Sequence, residues 1–402
     1  VASFRTLGDI DPAGRKVVVR ADLNVPVRDG KVGDPTRIQR AAETIRALLD
    51  KGAAVLVLSH FDRPKGKVVP GMSLRPIAAE LEKVVGRPVR FVDTDWRDGR
   101  AATAAAAAKP GDVLLFENTR FHPGEEDNED AFAAQLAALG ELFVNDAFSA
   151  AHRAHASTEG IARHLPAVAG LTMAAELAAL EKALVAPERP VIAIVGGAKV
   201  STKIDLLENL STRVDQLVIG GGMANTFLAA RGHRIGKSLC EADKLETARN
   251  IEGAARRAGC EIVLPVDVVA AKAFEAHAPH RVCGLDEVAD DEMILDIGPR
   301  TVADLEHRLD RARTVVWNGP FGAFELEPFD AGTNAVARIV ARLTAAGRLL
   351  SVAGGGDTVA ALNAAAVADD FSFVSTAGGA FLEWLEGKPL PGVEALRPRQ
   401  AR

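Results

Sequence analysis

Short runs of β-branched and aliphatic residues recur along this chain, each followed at once by a polar or glycine-rich cluster, with helical patterns filling the intervals. Strands that alternate with helices are the signature of parallel sheets covered by helices on both faces. In the first half the strand candidates are Lys16 to Arg20, Ala54 to Leu58, Val89 to Val92, Val113 to Phe116 and Leu142 to Val144. In the second half they are Val191 to Val195, Leu217 to Ile219, Ile262 to Leu264, Thr314 to Trp317 and Leu350 to Ala353. Helices are expected at Thr36 to Lys51, Ala331 to Leu343 and Thr358 to Ala366, and an alanine-rich surface helix at Ala101 to Ala108, stopped by Pro110-Gly111.

At 402 residues the chain is longer than one hydrophobic core normally grows. Two α/β domains follow, each a doubly wound, Rossmann-like, three-layer α/β/α arrangement around a parallel sheet. An amphipathic run from Thr172 to Leu184 lies between Pro166-Gly170 and Pro187-Pro190. It reads as a hinge helix joining the two. The expected spans are 1–168 for the first domain, 169–188 for the connecting helix and 189–386 for the second domain.

Composition removes several function classes. No uninterrupted apolar run approaches the roughly 18 residues that span a bilayer, so no membrane partner is expected. A formal net charge of -6 lacks the basic field that nucleic-acid binding needs. Cys240, Cys260 and Cys283 are odd in number and far apart, which argues against a disulfide framework or a zinc site and fits a reducing cytoplasm. The first residues show no secretory signal pattern.

Ligands of open parallel sheets bind beyond the carboxyl ends of the strands, where the polar clusters of both halves fall. The two halves differ in chemistry. The first sets Arg37, Arg63, Arg120 and Arg153 on strand-end loops, with His60, His152 and His155 among them. Planar, permanently charged guanidinium groups that converge would hold a small phosphate- or carboxylate-bearing anion. The second half offers glycine-rich turns that open into helices, where free N–H groups and the helix dipole attract phosphate.

Plainer readings stand beside these. Surface arginines are often just solvated, loop histidines merely hydrogen-bonded, and glycine-rich turns only tight connections. Lys199 and Lys203, four apart on one helical face, also fit an exposed charged edge. Two familiar nucleotide motifs fail. Gly232 to Ser238 has three residues between its glycines where a Walker A loop has four. No Gly-x-Gly-x-x-Gly with a downstream acid follows the first strand of either half, which weighs against a dehydrogenase.

In order along the chain, RADLNVP at 20–26, SHFDRPKG at 59–66, LFENTRF at 115–121 and VNDAFSAAHRAHAS at 144–157 resemble the substrate domain of the phosphoglycerate kinase family. GGAKVSTKI at 196–204, GGGMANTF at 220–227, DIGP at 296–299, WNGPFGAFE at 317–325, AGGGDT at 353–358 and STAGGAFLEWLEG at 375–387 resemble its nucleotide domain. The resemblance implies a glycolytic kinase that transfers a phosphoryl group from 1,3-bisphosphoglycerate to ADP, giving 3-phosphoglycerate and ATP, with Mg2+. It implies a monomer, and a segment 387–402 that packs back on the first domain.

By resemblance, Asp22, Leu23, Asn24, Arg37, His60, Arg63, Arg120 and Arg153 hold 3-phosphoglycerate. Gly197, Lys199 and Lys203 meet the nucleotide phosphates, and Asn318, Pro320 and Glu325 the adenosine and ribose. Gly355, Gly356, Asp357 and Thr358 form a phosphate turn, with Asp357 on magnesium. Arg37 and Lys203 are the catalytic pair, approaching the group in flight from opposite domains. Two positions depart from the family pattern: Asp62 and Ala377 stand where glycine is usual. A carboxylate at 62 would pair with a neighbouring arginine or repel substrate, and an alanine at 377 matters only if that backbone needs a positive φ.

The attacking carboxylate of 3-phosphoglycerate, with a pKa of about 4, is already ionised at neutral pH, so no general base is required. What remains is alignment and charge neutralisation in a loose transition state, for which cations and helix N-termini are suited. A catalytically silent nucleotide-binding protein would have lost Arg37, Lys203 and Asp357; all three are present.

Overall fold

The computed structural model describes residues 4–398, so residues 1–3 and 399–402 of the expected terminal spans lie outside the described residues. The chain forms two compact units, one running up to Leu177 and resumed from Pro389, the other Ala178–Lys388. The division falls within the segment 169–188.

In the first unit the elements are β1 (Lys16–Arg20), β2 (Val27–Arg28), β3 (Lys31–Val32), α1 (Thr36–Asp50), β4 (Ala54–Leu58), α2 (Arg75–Val85), β5 (Val89–Val92), α3 (Arg100–Ala107), β6 (Val113–Phe116), α4 (Asp130–Ala137), β7 (Leu142–Asn145) and β8 (Ala167–Ala169). Helix α5 (Leu171–Leu180) follows and passes into a π-helical turn, Glu181–Val185. Six strands make a parallel sheet in the order β5-β6-β4-β1-β7-β8. Every residue of β4, β6 and β7 is buried, as befits strands covered on both faces. Val17 and Val19 share a core with Val55, Val57 and the apolar stripe of α1, Ile38, Ala42, Ile45 and Leu48. Each buried valine, isoleucine or leucine among them contributes about 1.5–3 kcal/mol by leaving water.

The second unit holds β9 (Val191–Val195), α6 (Ile204–Ser211), β10 (Gln216–Ile219), α7 (Gly221–Ala230), α8 (Leu245–Ala258), β11 (Glu261–Val263), β12 (Asp267–Ala271), β13 (His280–Gly284), β14 (Met293–Ile297), α9 (Pro299–Arg311), β15 (Thr314–Asn318), α10 (Ala331–Ala345), β16 (Leu350–Gly354), α11 (Gly356–Ala364), β17 (Phe373–Ser375) and α12 (Gly379–Leu385). Its parallel sheet runs β11-β10-β9-β15-β16-β17, the doubly wound order of dinucleotide folds. Ile192, Ile194, Val315 and Trp317 pack against Leu305 and Leu309 of α9 and Val336 and Val340 of α10.

Two parts of the architecture depart from the sequence expectation of parallel sheets alone. Strands β2 and β3 pair as a small antiparallel ribbon, and strands β13-β12-β14 form a separate antiparallel sheet. Three successive residues of β13, His280, Arg281 and Val282, are exposed, so the strand carries no clean apolar alternation to betray it. The final helix α13 (Pro391–Glu394) belongs to the first unit, where the N–H of Gly392 donates to the carbonyl of Ala151 (2.9 Å) and Asn145 donates to the carbonyl of Gly392 (3.3 Å).

Candidate functional site

In the first sheet the chain builds outward from β1 on one side through β4 and on the other through β7, so the switch lies between β1 and β7. The loops leaving β1, β4, β6 and β7 bring most of the expected anion-binding residues together. Asn118, buried after β6, fastens two of them: its Oδ1 accepts from the N–H groups of Phe61 (3.2 Å) and Arg120 (3.0 Å), and its Nδ2 donates to the carbonyl of Phe61 (2.6 Å). Leu23 is buried and its N–H donates to Ser59 Oγ at 3.1 Å, so it holds the β1 loop through its backbone. Asp22 accepts from Ser149 Oγ (2.6 Å) and lies 3.3 Å from Arg37 Nη1, which also donates to the carbonyl of Asn24 (2.9 Å).

Arg120 is buried and donates to the carbonyl of Asp62 (2.8 Å), with Glu126 3.7 Å from its Nε. Arg153 donates to His152 Nε2 at 3.2 Å. Arg63 is exposed and makes no ion pair with a described residue. Asp62 sits in the left-handed region at φ 51°, which gives a physical reason for glycine at that position. The expected pairing of its carboxylate with an arginine is not formed; its backbone is engaged instead, the N–H donating to Asn24 Oδ1 (3.1 Å). Ala377 does not have a positive φ; its neighbour Gly378 does, at 49°, so alanine fits.

Beneath this cluster lies a group that composition and spacing did not single out. Arg20, fully buried, donates through Nε to Ser157 Oγ (2.8 Å), through Nη1 to the carbonyl of Ala21 (2.7 Å) and through Nη2 to His60 Nδ1 (3.0 Å). Ser157 in turn donates to the buried carboxylate of Glu125 (2.5 Å). Burial lowers the pKa of Arg20 to about 10, which leaves it charged at neutral pH. Burial, then the charges of Arg20, Arg120 and other neighbours, hold His60 well below the ordinary imidazole value, and His155 is pushed down to about 3 by burial and Arg120. Arg20 ends the first apolar run and reads as a strand residue, which is why its role was hidden.

In the second unit the switch falls between β9 and β15, and there the turns touch. A Cβ on Gly196 would lie 1.8 Å from the carbonyl oxygen of Pro320, so only glycine permits this approach. A cavity of about 330 Å³ opens beside it, lined by Gly197, Gly221, Leu239, Phe274, Pro320 and Glu325 among others, with Asp357 at its wall. Its apolar side chains Leu239, Phe274 and Met293 were not foreseen, because Phe274 and Met293 belong to the unrecognised antiparallel sheet and its connections.

Lys199 and Lys203 do not share a helical face, contrary to their spacing. Lys199 is extended (φ -135°), a 3₁₀ turn intervenes, and Lys203 precedes α6. Lys199 is exposed, whereas Lys203 is partly buried, its Nζ donating to the carbonyl of Gly196 (2.6 Å) and to Asn318 Oδ1 (2.7 Å). Burial lowers its pKa to about 8, against the opposing pull of Asp357. Asn318 also donates to the carbonyl of Gly354 (2.9 Å) and does not line the cavity, so its side chain is committed to Lys203 and the β16 turn. Thr358 is buried and accepts from the N–H of Gly319 (2.7 Å). Gly355, at φ 99°, and Gly356 open α11, and exposed Asp357 stands in its first turn.

No three His, Cys, Asp or Glu side chains among the described residues form a metal cage. Asp357 alone suits magnesium, which takes one or two carboxylates and completes its shell with phosphate oxygens and water. The carboxylate is exposed and makes no ion pair with any described residue, so it is available as that ligand.

Residues 7–388 match the phosphoglycerate kinase family. The chain is 64% identical over 396 residues to the phosphoglycerate kinase of Azorhizobium caulinodans, covering 98% of this chain and 99% of the relative. It is 62% identical to that of Xanthobacter autotrophicus over 99% of this chain and all of the relative. The solved phosphoglycerate kinase of Coxiella burnetii superposes with a TM-score of 0.91 at 44% identity, over 98% of this chain and 99% of that one. The chain therefore belongs to the phosphoglycerate kinase family, the phosphotransferases that pass a phosphoryl group between 1,3-bisphosphoglycerate and ADP in the presence of magnesium.

Proposed function

We propose that the reaction is divided between two ligand sets, each drawn from one unit of the chain. The basic cluster of the first unit, Asp22, Leu23, Asn24, Arg37, His60, Arg63, Arg120 and Arg153, takes 3-phosphoglycerate. Asn24, His60 and the arginines supply donors to its phosphate and carboxylate; Asp22 orients Arg37, and Leu23 fixes the loop. In the second unit the 330 Å³ cavity takes the nucleoside, with Pro320 and Glu325 on its wall. Gly197, Lys199, Lys203 and the turn Gly355 to Thr358 take the phosphates. Asn318 belongs to the nucleotide set and positions Lys203 through its Oδ1.

Asp357 would hold magnesium, which neutralises charge on the nucleotide phosphates. Arg37 and Lys203 neutralise the equatorial oxygens of the transferring group, and no side chain needs to remove a proton. The single observation that supports this reading most is Lys203. A partly buried ammonium hydrogen-bonded only to neutral oxygens, beside a glycine-lined turn and with no carboxylate in direct contact, is a preorganised cation. Lys203→Ala should lower kcat by about 10²-fold or more with a smaller change in nucleotide affinity. Near-normal turnover in a coupled assay would refute the assignment.

Membership of the family supports action as a monomer. All three cysteines are free, which supports a cytoplasmic setting. No helix among the described residues is long and apolar enough to cross a membrane.

A further inference from the structure

We propose that Arg20 is a positioning residue for the substrate site: by donating to Nδ1 of His60 it locks that imidazole as the neutral Nε2–H tautomer, presenting a fixed donor to the bound anion. The inference rests on the reading that His60 contacts 3-phosphoglycerate, and it adds what His60 does there and why it cannot do anything else.

The argument is one of donor and acceptor inventory. A guanidinium has five N–H donors and no acceptor, so any imidazole nitrogen within hydrogen-bond distance of it must present a lone pair. Arg20 Nη2 lies 3.0 Å from His60 Nδ1. That nitrogen is therefore unprotonated, and in the neutral ring the proton sits on Nε2. Nε2 has no hydrogen-bond partner among the described residues. The donor is left for a ligand.

Arg20 cannot swing away. It is fully buried, and its other nitrogens are held by Ser157 and the carbonyl of Ala21. Ser157 is itself fixed by Glu125, through its hydroxyl and through its N–H (3.0 Å). Thr119 Oγ1 adds a third bond to Glu125 (3.2 Å). The chain Glu125–Ser157–Arg20–His60 thus runs from the buried interior to the basic surface. Retaining a buried Arg and Glu that are not directly paired is costly, and such an arrangement is explained if it fixes geometry at a site.

Protonating His60 would place a cation against Arg20 from β1, Arg120 from the loop after β6, and Arg153 and His155 from the loop after β7. Burial opposes the charged ring as well. His60 should therefore stay neutral and keep one tautomer at every pH at which the protein is folded and active. A general-base role for His60 through Nδ1 is excluded by the same bond.

The test uses the full-length protein with ¹⁵N-labelled histidine. In the wild type, His60 should show a bare Nδ1 and a protonated Nε2 both below and above the ordinary imidazole value of 6.5. Adding 3-phosphoglycerate should shift the Nε2 signal, and Mg-ADP should not. A protonated Nδ1, or a ring that titrates near its ordinary value, would overturn the inference.

Arg20→Gln should let His60 take up a proton as pH falls. KM for 3-phosphoglycerate should rise by about tenfold or more, in a pH-dependent way, with KM for Mg-ADP unchanged. Arg20→Lys, which keeps a cationic donor, should restore the tautomer in part. An unchanged His60 and unchanged KM in folded Arg20→Gln would also overturn it. If Arg20→Gln does not fold, the double variant with Glu125→Gln removes both buried charges and reads the same quantities. A correct tautomer that ignores 3-phosphoglycerate would sink the substrate contact of His60, and with it the functional half of the inference, while leaving the Arg20 bond standing.

Discussion

Lys203 keeps its proton with difficulty: burial lowers its pKa to about 8, and only Asp357 among its neighbours pulls the other way. A nucleotide phosphate adds negative charge and raises that value again. Binding of Mg-ADP near pH 8 should therefore take up protons, and affinity should weaken as pH rises above 8. Calorimetry in two buffers of different ionisation enthalpy measures the uptake, which Lys203→Met should abolish. Asp62 offers a second residue-scale expectation. Its left-handed backbone costs about 1 kcal/mol in a non-glycine residue, and its carboxylate lies in the loop that bears Arg63. Asp62→Gly should lower KM for 3-phosphoglycerate, most clearly at low ionic strength, with little net change in stability because glycine also loosens the unfolded chain. A raised KM would show that the carboxylate helps.

At the scale of elements, helix α5 begins on Asp146, whose Oδ1 accepts from the N–H groups of Thr172 (2.9 Å) and Met173 (3.2 Å). Burial raises this carboxyl from 3.8 to about 7 in spite of those bonds. The folded protein then binds more protons than the unfolded chain between those two values. Stability contributed here falls as pH rises through that window, by up to about 4 kcal/mol. Asp146→Asn keeps the acceptor and removes the charge, so the difference in Tm between pH 5 and pH 8 should shrink; an unchanged difference would show that Asp146 is not its source. In the second unit the turn into α11 leaves no room for a side chain. Gly355 has φ 99° and a Cβ there would sit 2.6 Å from Asn318 Nδ2. Gly355→Ala should displace Asn318, and with it Lys203, so that kcat and nucleotide affinity both fall; retention of both would refute that coupling. Strands β1 to β17 of the two parallel sheets were legible wherever an apolar run ended in a polar cluster. The edge strands β8 and β17 were not, since three residues of mixed character, Ala-Val-Ala and Phe-Val-Ser, give no continuous branched apolar run to read.

At the scale of the whole molecule, the two compact units predict separable ligand footprints. Hydrogen exchange with 3-phosphoglycerate should protect the loops at 20–26, 59–66, 117–121 and 150–157, and Mg-ADP those at 196–203, 318–325 and 354–358. Saturation of either site at 100 times its Kd stabilises the unit that binds it by about 2.7 kcal/mol. Protection by 3-phosphoglycerate in the second unit would overturn the division. The positions of most strands along the chain, the parallel layers and the identity of the anion-binding loops were written locally. Each rests on residues adjacent in sequence, an apolar run and the polar cluster that ends it. The antiparallel sheet, the bond from Arg20 to His60, and the commitment of Asn318 to Lys203 were decided only by folding. The two bonds join residues far apart in the chain, 40 positions in one case and 115 in the other. No local pattern carries that information, because the bond depends on which strand ends the sheet order places side by side.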